Sequence, residues 1–251
     1  MNVYERTQRR LKTVFEAFDN VYVSFSGGKD SGVLLNLCID YIRRYGLKRR
    51  IGVFHMDYEI QYRDTLSYVD RMLASNPDIL DVYRVCVPFK VPTCASMFQR
   101  YWRPWEEGKR ELWVRAMPAG SYTRGSFPFF SEEMWDYEFQ NRFAEWLHRR
   151  CGATRTCCLI GIRTQESFNR WRCIYMSRKF QMYHKYRWTS KVGNDIYNVY
   201  PIFDWKTTDV WTANGKFQWD YNVLYDLYYR AGVNLERQRV ASPFINEAQE
   251  S

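Results

Sequence analysis

The stretch VYVSFSGGKDSGVLLNLCIDYIRRYG, Val21–Gly46, limits the fold more tightly than any other part of the chain. Val21–Phe25 is an apolar run that reads as a buried strand, and Ser26–Asp30 reads as a turn. Ser31–Tyr45 then puts Val33, Leu34, Leu37, Cys38, Tyr41 and Ile42 on one helical face, with Gly46 as the stop. A strand that turns this sharply into a helix leaves the first helical N–H groups unpaired and aimed at the turn. Those donors and the positive helix end attract phosphate oxygens. The turn is not the common phosphate loop, which needs Gly-Lys followed directly by Ser or Thr; here Asp30 follows Lys29.

The rest of the chain repeats the alternation. RRIGVFHMD, Arg49–Asp57, predicts a second strand, and Tyr62–Leu73 a helix broken at Asn76-Pro77. Asp81–Phe89 predicts a third strand, Thr154–Arg163 a fourth and Ile196–Phe203 a fifth. Helices are expected before the first strand (Val3, Leu11, Val14, Phe15 and Phe18 apolar), over Met134–Arg149, from a Thr207 or Thr208 cap, and over Asn222–Ala231. This predicts an α/β fold: one domain over residues 1–251, with a doubly wound, mostly parallel five-stranded sheet and helices on both faces. Residues 90–133 break the pattern and read as a basic, aromatic insert across the top edge of the sheet. Ligands of such sheets bind beyond the carboxyl ends of the strands, where strand order reverses. Ser24, Ser26–Ser31 and the Met56-Asp57 pair would lie along that edge.

Composition narrows the function class. With 46% hydrophobic residues the chain can bury a full core, and it has no apolar run long enough to cross a membrane. The N-terminus is charged and unlike a secretory signal. Seven cysteines without such a signal point to a reducing, cytoplasmic setting. A net charge of +9 favours anionic partners.

The corner's composition suits magnesium pyrophosphate. Gly27 and Gly28 let the backbone approach an anion, Ser26 and Ser31 offer hydroxyls, and Lys29 offers a cation. A carboxylate at Asp30 repels phosphate unless Mg²⁺ lies between them. Asp57, at a strand end, would bond ribose hydroxyls, hold a second Mg²⁺, or simply cap a helix. In the insert, Lys90, Arg100, Arg103, Lys109, Arg110, Arg115 and Arg124 are interleaved with Tyr101, Trp102, Trp105 and Trp113. That pattern suits single-stranded nucleic acid, a sulfate or phosphate clamp, or a protein partner.

SFSGGKDSGVLL resembles the SGGxDS signature of the N-type ATP pyrophosphatases, the adenine nucleotide alpha-hydrolase-like superfamily. FHMDYEIQY falls where those proteins put the segment beside adenine and ribose. LIGIRTQESFNR, Leu159–Arg170, is similar to the G-[IL]-R-x-x-[EQ]-S-x-x-R element of phosphoadenosine phosphosulfate (PAPS) reductases. YPIFDWKTTDVW, Tyr200–Trp211, resembles an element shared by PAPS reductases and the small subunit of ATP sulfurylase, and YNVLYDLYYRAGV, Tyr221–Val233, resembles the element after it. Further segments, ending with GVNLERQRVASPF, look like the immunoglobulin-binding regulator A type, whose members usually accompany a ParB-like partner.

The resemblance implies an enzyme acting at the α-phosphate of ATP or an adenylyl sulfate. Lys29, Asp30 and Arg163 would be catalytic, Ser167 and Arg170 would join the nucleotide site, and Asp30 and Asp57 would hold Mg²⁺. A nucleotide-dependent regulator and a component that modifies nucleic acid with sulfur are the alternatives. Classical PAPS reduction is not expected: the chain ends RQRVASPFINEAQES, without the family's E-C-G-[IL]-H cysteine. Cys157-Cys158 lacks the later C-x-x-C of an iron–sulfur site and reads as core, and scattered histidines argue against zinc. Cys94 and Cys173 lie near the site segments; buried and inert is the default expectation for both. Asp204, Trp205, Asp209 and Trp211 read as scaffold.

Overall fold

The computed structural model describes residues 1–176 and 182–240. The last part of the GVNLERQRVASPF segment therefore lies outside the described residues. The chain begins with α1 (Val3–Ala17), β1 (Asn20–Ser24), α2 (Lys29–Arg44), β2 (Ile51–Met56), α3 (Arg63–Ala74) and β3 (Leu80–Val85). After a short ribbon, β4 (Val91–Pro92) with β5 (Tyr101–Trp102), come α4 (Asp136–Arg150), β6 (Thr156–Ile160) and α5 (Phe168–Tyr175). The described chain closes with β7 (Thr189–Gly193), β8 (Ile196–Val199), α6 (Thr207–Phe217) and α7 (Leu224–Arg230).

The main sheet has six strands in the order β3-β2-β1-β6-β8-β7. All neighbours are parallel except β7, which runs antiparallel to β8 with an irregularity between Lys191 and Gly193. The expected five strands are thus present, and a sixth has to be added. Thr189–Gly193 is short and lies on an edge with Lys191 and Val192 exposed and the polar Thr189 buried, so no apolar alternation marked it.

Side chains of β1 alternate between two cores. Val21 and Val23 join Leu11 and Val14 of α1, Leu34 and Leu37 of α2, Val69 of α3 and Val210 of α6. Tyr22 points the other way, toward Phe139, Phe143 and Leu147 of α4 and Phe89 and Phe127. Cys157 and Cys158 divide in the same way, one into each core, as adjacent strand residues must. Burial raises both thiols, Cys158 to about 12. They are core residues.

Strand order reverses at β1. The chain moves outward through β2 and β3, then returns to pair β6 on the other side of β1. That switch point opens a crevice at the carboxyl ends of β1 and β6.

Candidate functional site

The crevice is a cleft of about 580 Å³ whose lining includes Ser24, Ser26, Gly28, Lys29, Asp30, Ser31, Ser167 and Arg170. Helix α2 starts at Lys29, two residues earlier than expected, so Lys29 and Asp30 occupy its first turn. The hydroxyls expected for a ligand hold the corner itself. Ser31 Oγ donates to Gly28 O at 3.1 Å and lies 3.0 Å from Ser26 Oγ, which accepts from Gly28 N at 3.3 Å.

Two glycines are required here. Gly27 has φ +81°, and a Cβ there would lie 2.8 Å from Val69 Cγ2. At Gly161, just beyond β6, a Cβ would lie 2.9 Å from the Asp30 carbonyl carbon and the Ser31 nitrogen. Only a bare backbone lets the end of β6 come this close to the corner.

Arg163 is 1% exposed. Its Nε donates to Asp30 Oδ1 at 2.6 Å, and its NH1 donates to Thr207 Oγ1 at 3.2 Å. Thr207 therefore serves the arginine. The α6 cap is Lys206, whose N–H donates to Asp209 Oδ2 at 2.7 Å, in place of the expected Thr207 or Thr208. Lys29 Nζ lies 3.3 Å from Asp30 Oδ2 and donates to Gln238 O at 3.0 Å. Ser167 caps α5 by accepting from Arg170 N, and the Arg170 guanidinium donates to Glu166 at 2.6 Å. Lys29, Arg170 and Arg239 outnumber Asp30 and Glu166 in the lining, which leaves the cleft net positive. Arg163 and Gly27 lie behind the lining, Arg163 reaching it through Asp30.

Several site residues carried no individual signal in the sequence. Tyr225 Oη accepts from Lys29 N at 3.0 Å and lies under the Lys29 ammonium, 5.3 Å from Nζ to the ring centre. Asn222 donates to Gly27 O at 3.1 Å and to Thr65 at 2.9 Å, bracing the corner from behind. Trp211 packs edge-on against Tyr225. Asn222 and Tyr225 belong to the YNVLYDLYYRAGV segment, so the motif pointed to the right stretch without marking these side chains. Arg239 and Val240 also line the cleft, and Arg239 donates to Glu166 O at 3.0 Å.

Asp57 and Met56 lie outside the cleft lining. Asp57 is fully buried; one oxygen accepts from Arg84 Nε at 3.0 Å, and the other accepts from Glu59 N at 2.9 Å and from Arg115. Asp57 O also accepts from Trp105 Nε1 at 2.7 Å, and the Glu59 carboxylate accepts from Trp105 N and Val114 N. Asp57 and Glu59 thus anchor the 102–116 segment to the sheet. Among the described residues no group of three or more His, Cys, Asp or Glu side chains converges on a metal position. With Asp57 saturated and Asp30 already facing two cations, this donor set does not fit a magnesium ion held by the two aspartates.

Between Lys90 and Glu133, acids answer the bases. Lys90 and Arg103 meet Glu133, Lys109 meets Glu106, Arg110 meets Glu107, and Arg124 meets Glu132. A separate cavity of about 530 Å³ lies in this region, lined by Cys86, Arg103, Trp105, Trp113 and Arg124 among others.

A mostly parallel sheet with a glycine-lined corner and buried cations at its switch point defines a doubly wound α/β protein, a class whose ligands bind beyond the strand ends. The sequence profile of the phosphoadenosine phosphosulfate reductase domain family matches residues 20–107 and 134–231, and the chain belongs to that family. It is 34% identical over 247 residues to the uncharacterized Escherichia coli (strain K12) protein YbdN. The match takes in 97% of this chain but spans only 59% of the relative. Among solved structures it is similar to yeast FAD synthetase in complex with FAD (TM-score 0.50, 14% identity, 89% of this chain and 60% of that one). It is also similar to PAPS reductase from Candida auris in a phosphate complex (TM-score 0.48, 13% identity, 94% and 87%). At such identities the likeness to these structures is one of fold.

Proposed function

We propose that the protein is an enzyme that binds an adenine nucleotide, ATP or an adenylyl sulfate, in the cleft between β1 and β6 and acts at its α-phosphate. The observation that carries this reading is the buried cluster of Lys29, Asp30 and Arg163 against the glycine corner. Gathering Lys29, Arg163, Arg170 and Arg239 around only two carboxylates, Asp30 and Glu166, with Lys29 and Arg163 buried, is costly unless the excess positive charge has a use. A diphosphate supplies the missing negative charge, and its oxygens would replace Gln238 O on Lys29. Family membership and the FAD-bound complex of a protein with this fold support the same ligand class.

In this reading a nucleophile adds to the α-phosphorus as the bond to the bridging oxygen of pyrophosphate breaks. Negative charge then builds on the leaving group. Catalysis rests on charge neutralisation and positioning more than on proton transfer. Lys29 stabilises the leaving pyrophosphate. Asp30 holds Arg163 at the corner, and Gly161 lets β6 bring that arginine close. Magnesium enters this reading only as a counter-ion carried in by the nucleotide's phosphates.

Incubation with ATP and Mg²⁺ tests the proposal. Wild-type protein should yield AMP and pyrophosphate, and Asp30→Ala should lose at least tenfold in rate. Release of ADP and phosphate, or equal rates in the two proteins, would contradict it.

A further inference from the structure

Helix α5 buries a single side chain, Ile174, among its eight residues. Its other face carries three rings at helical spacing that stack on one another, with Tyr175 also edge-on to Phe203. Phe168 is 70% exposed, and Trp171 and Tyr175 are each 40% exposed. Phe168 and Trp171 lie 5.8 Å apart with planes 9° apart; Trp171 and Tyr175 lie 5.2 Å apart with planes 27° apart. A protein seldom leaves a near-parallel aromatic ladder in water without a use. The helix that carries the ladder starts at the cleft, since Ser167, Asn169 and Arg170, in the turn and first residues of α5, line it.

Charge decides what covers these rings. The Arg172 guanidinium lies 5.8 Å from the Phe168 ring centre, on the ladder's own face. Rings and guanidinium groups also mark protein interfaces; what favours a chain of bases on a phosphate backbone is a guanidinium among exposed rings that no carboxylate answers. The whole chain carries a net charge of +9. The Lys90–Glu133 region, the more obvious basic segment, answers most of its cations with its own carboxylates. Among the described residues, Arg172 beside the α5 ladder makes no ion pair.

We propose that Phe168, Trp171 and Tyr175, with Arg172, form a stacking platform for single-stranded nucleic acid that leads one strand toward the cleft. Binding to the platform stands on the ladder alone; only the use of the strand at the cleft rests on the function proposed above.

Fluorescence anisotropy of labelled 16-nucleotide DNA and RNA single strands and of a duplex, across a salt series, tests the proposal. The 251-residue chain should prefer single strands. Phe168→Ala, at the most exposed ring, should leave the circular dichroism melt unchanged, and Trp171→Ala and Tyr175→Ala, at rings 40% exposed, should keep a cooperative melt. Each should weaken binding by roughly 5- to 150-fold, the loss of one base–ring stack. Arg172→Ala should lower the slope of log affinity against log salt by about 0.7. ATP affinity should be unchanged by Trp171→Ala, and oligonucleotide affinity unchanged by Lys29→Ala, so that failure of this proposal and failure of the nucleotide reading are separable. Three results would overturn it: no oligonucleotide binding at low salt, equal binding by the ring variants and wild type, or self-association lost in the ring variants, which would make the ladder a face for a second copy of the chain.

Discussion

Asp30 and Asp57 make an instructive pair. Each sits beyond the carboxyl end of a parallel strand, and each faces two basic side chains: Lys29 and Arg163 in one case, Arg84 and Arg115 in the other. Asp30 borders an open cleft, and its lysine partner is held partly by a backbone carbonyl that a ligand can displace. Asp57 is sealed under Trp105, and both of its oxygens accept from the protein. A carboxylate at a strand end is therefore no sign of a ligand site by itself. What separates the two is whether their partners are exchangeable.

The largest effect that would break this comparison lies at Asp57. Asp57→Ala leaves Arg84 and Arg115 facing a buried gap and should cost roughly 3–5 kcal/mol. Asp30→Ala, where Glu166 and Thr207 remain beside Arg163, should cost roughly 1–3 kcal/mol. Urea unfolding of both variants checks the order; equal losses would show that the two carboxylates play one structural role. The effects on function should run the opposite way, with ATP affinity lost in Asp30→Ala and kept in any Asp57→Ala protein that remains folded.

Gly161→Ala is expected next in size. The added methyl meets the backbone of Asp30 and Ser31, so repacking should cost roughly 1–3 kcal/mol and displace the corner. Thermal unfolding together with ATP titration would show both losses; wild-type values for both would mean that the close approach of β6 does not shape the site. The smallest effect belongs to Tyr225→Phe, which removes the hydroxyl that accepts from Lys29 N. Stability should fall by about 1 kcal/mol. ATP affinity should not fall, because the freed N–H becomes available to phosphate. A fall in affinity would make Tyr225 a ligand contact instead of a brace.

The sequence carried the local parts of this picture well. The Val21–Gly46 strand, turn and helix, the core placement of Cys157-Cys158, and Arg163 at the end of β6 all follow from short-range pattern and motif. What it hid depends on distant partners. Arg84 and Arg115 reach Asp57 across 27 and 58 residues, and nothing near Asp57 announces them. Tyr225 meets Lys29 across 196 residues. The edge strand Thr189–Gly193 pairs on one side only and has half its surface in water, which erases the apolar alternation that marks inner strands.

Isothermal titration with a non-hydrolysable ATP analogue in Mg²⁺, on wild type and Lys29→Ala, tests the central claim most directly. One site per chain in the wild type, weakened at least tenfold in a Lys29→Ala protein that still melts cooperatively, is the predicted result. No binding at millimolar analogue, or equal affinity in both proteins, would contradict the claim that the corner between β1 and β6 holds the phosphates.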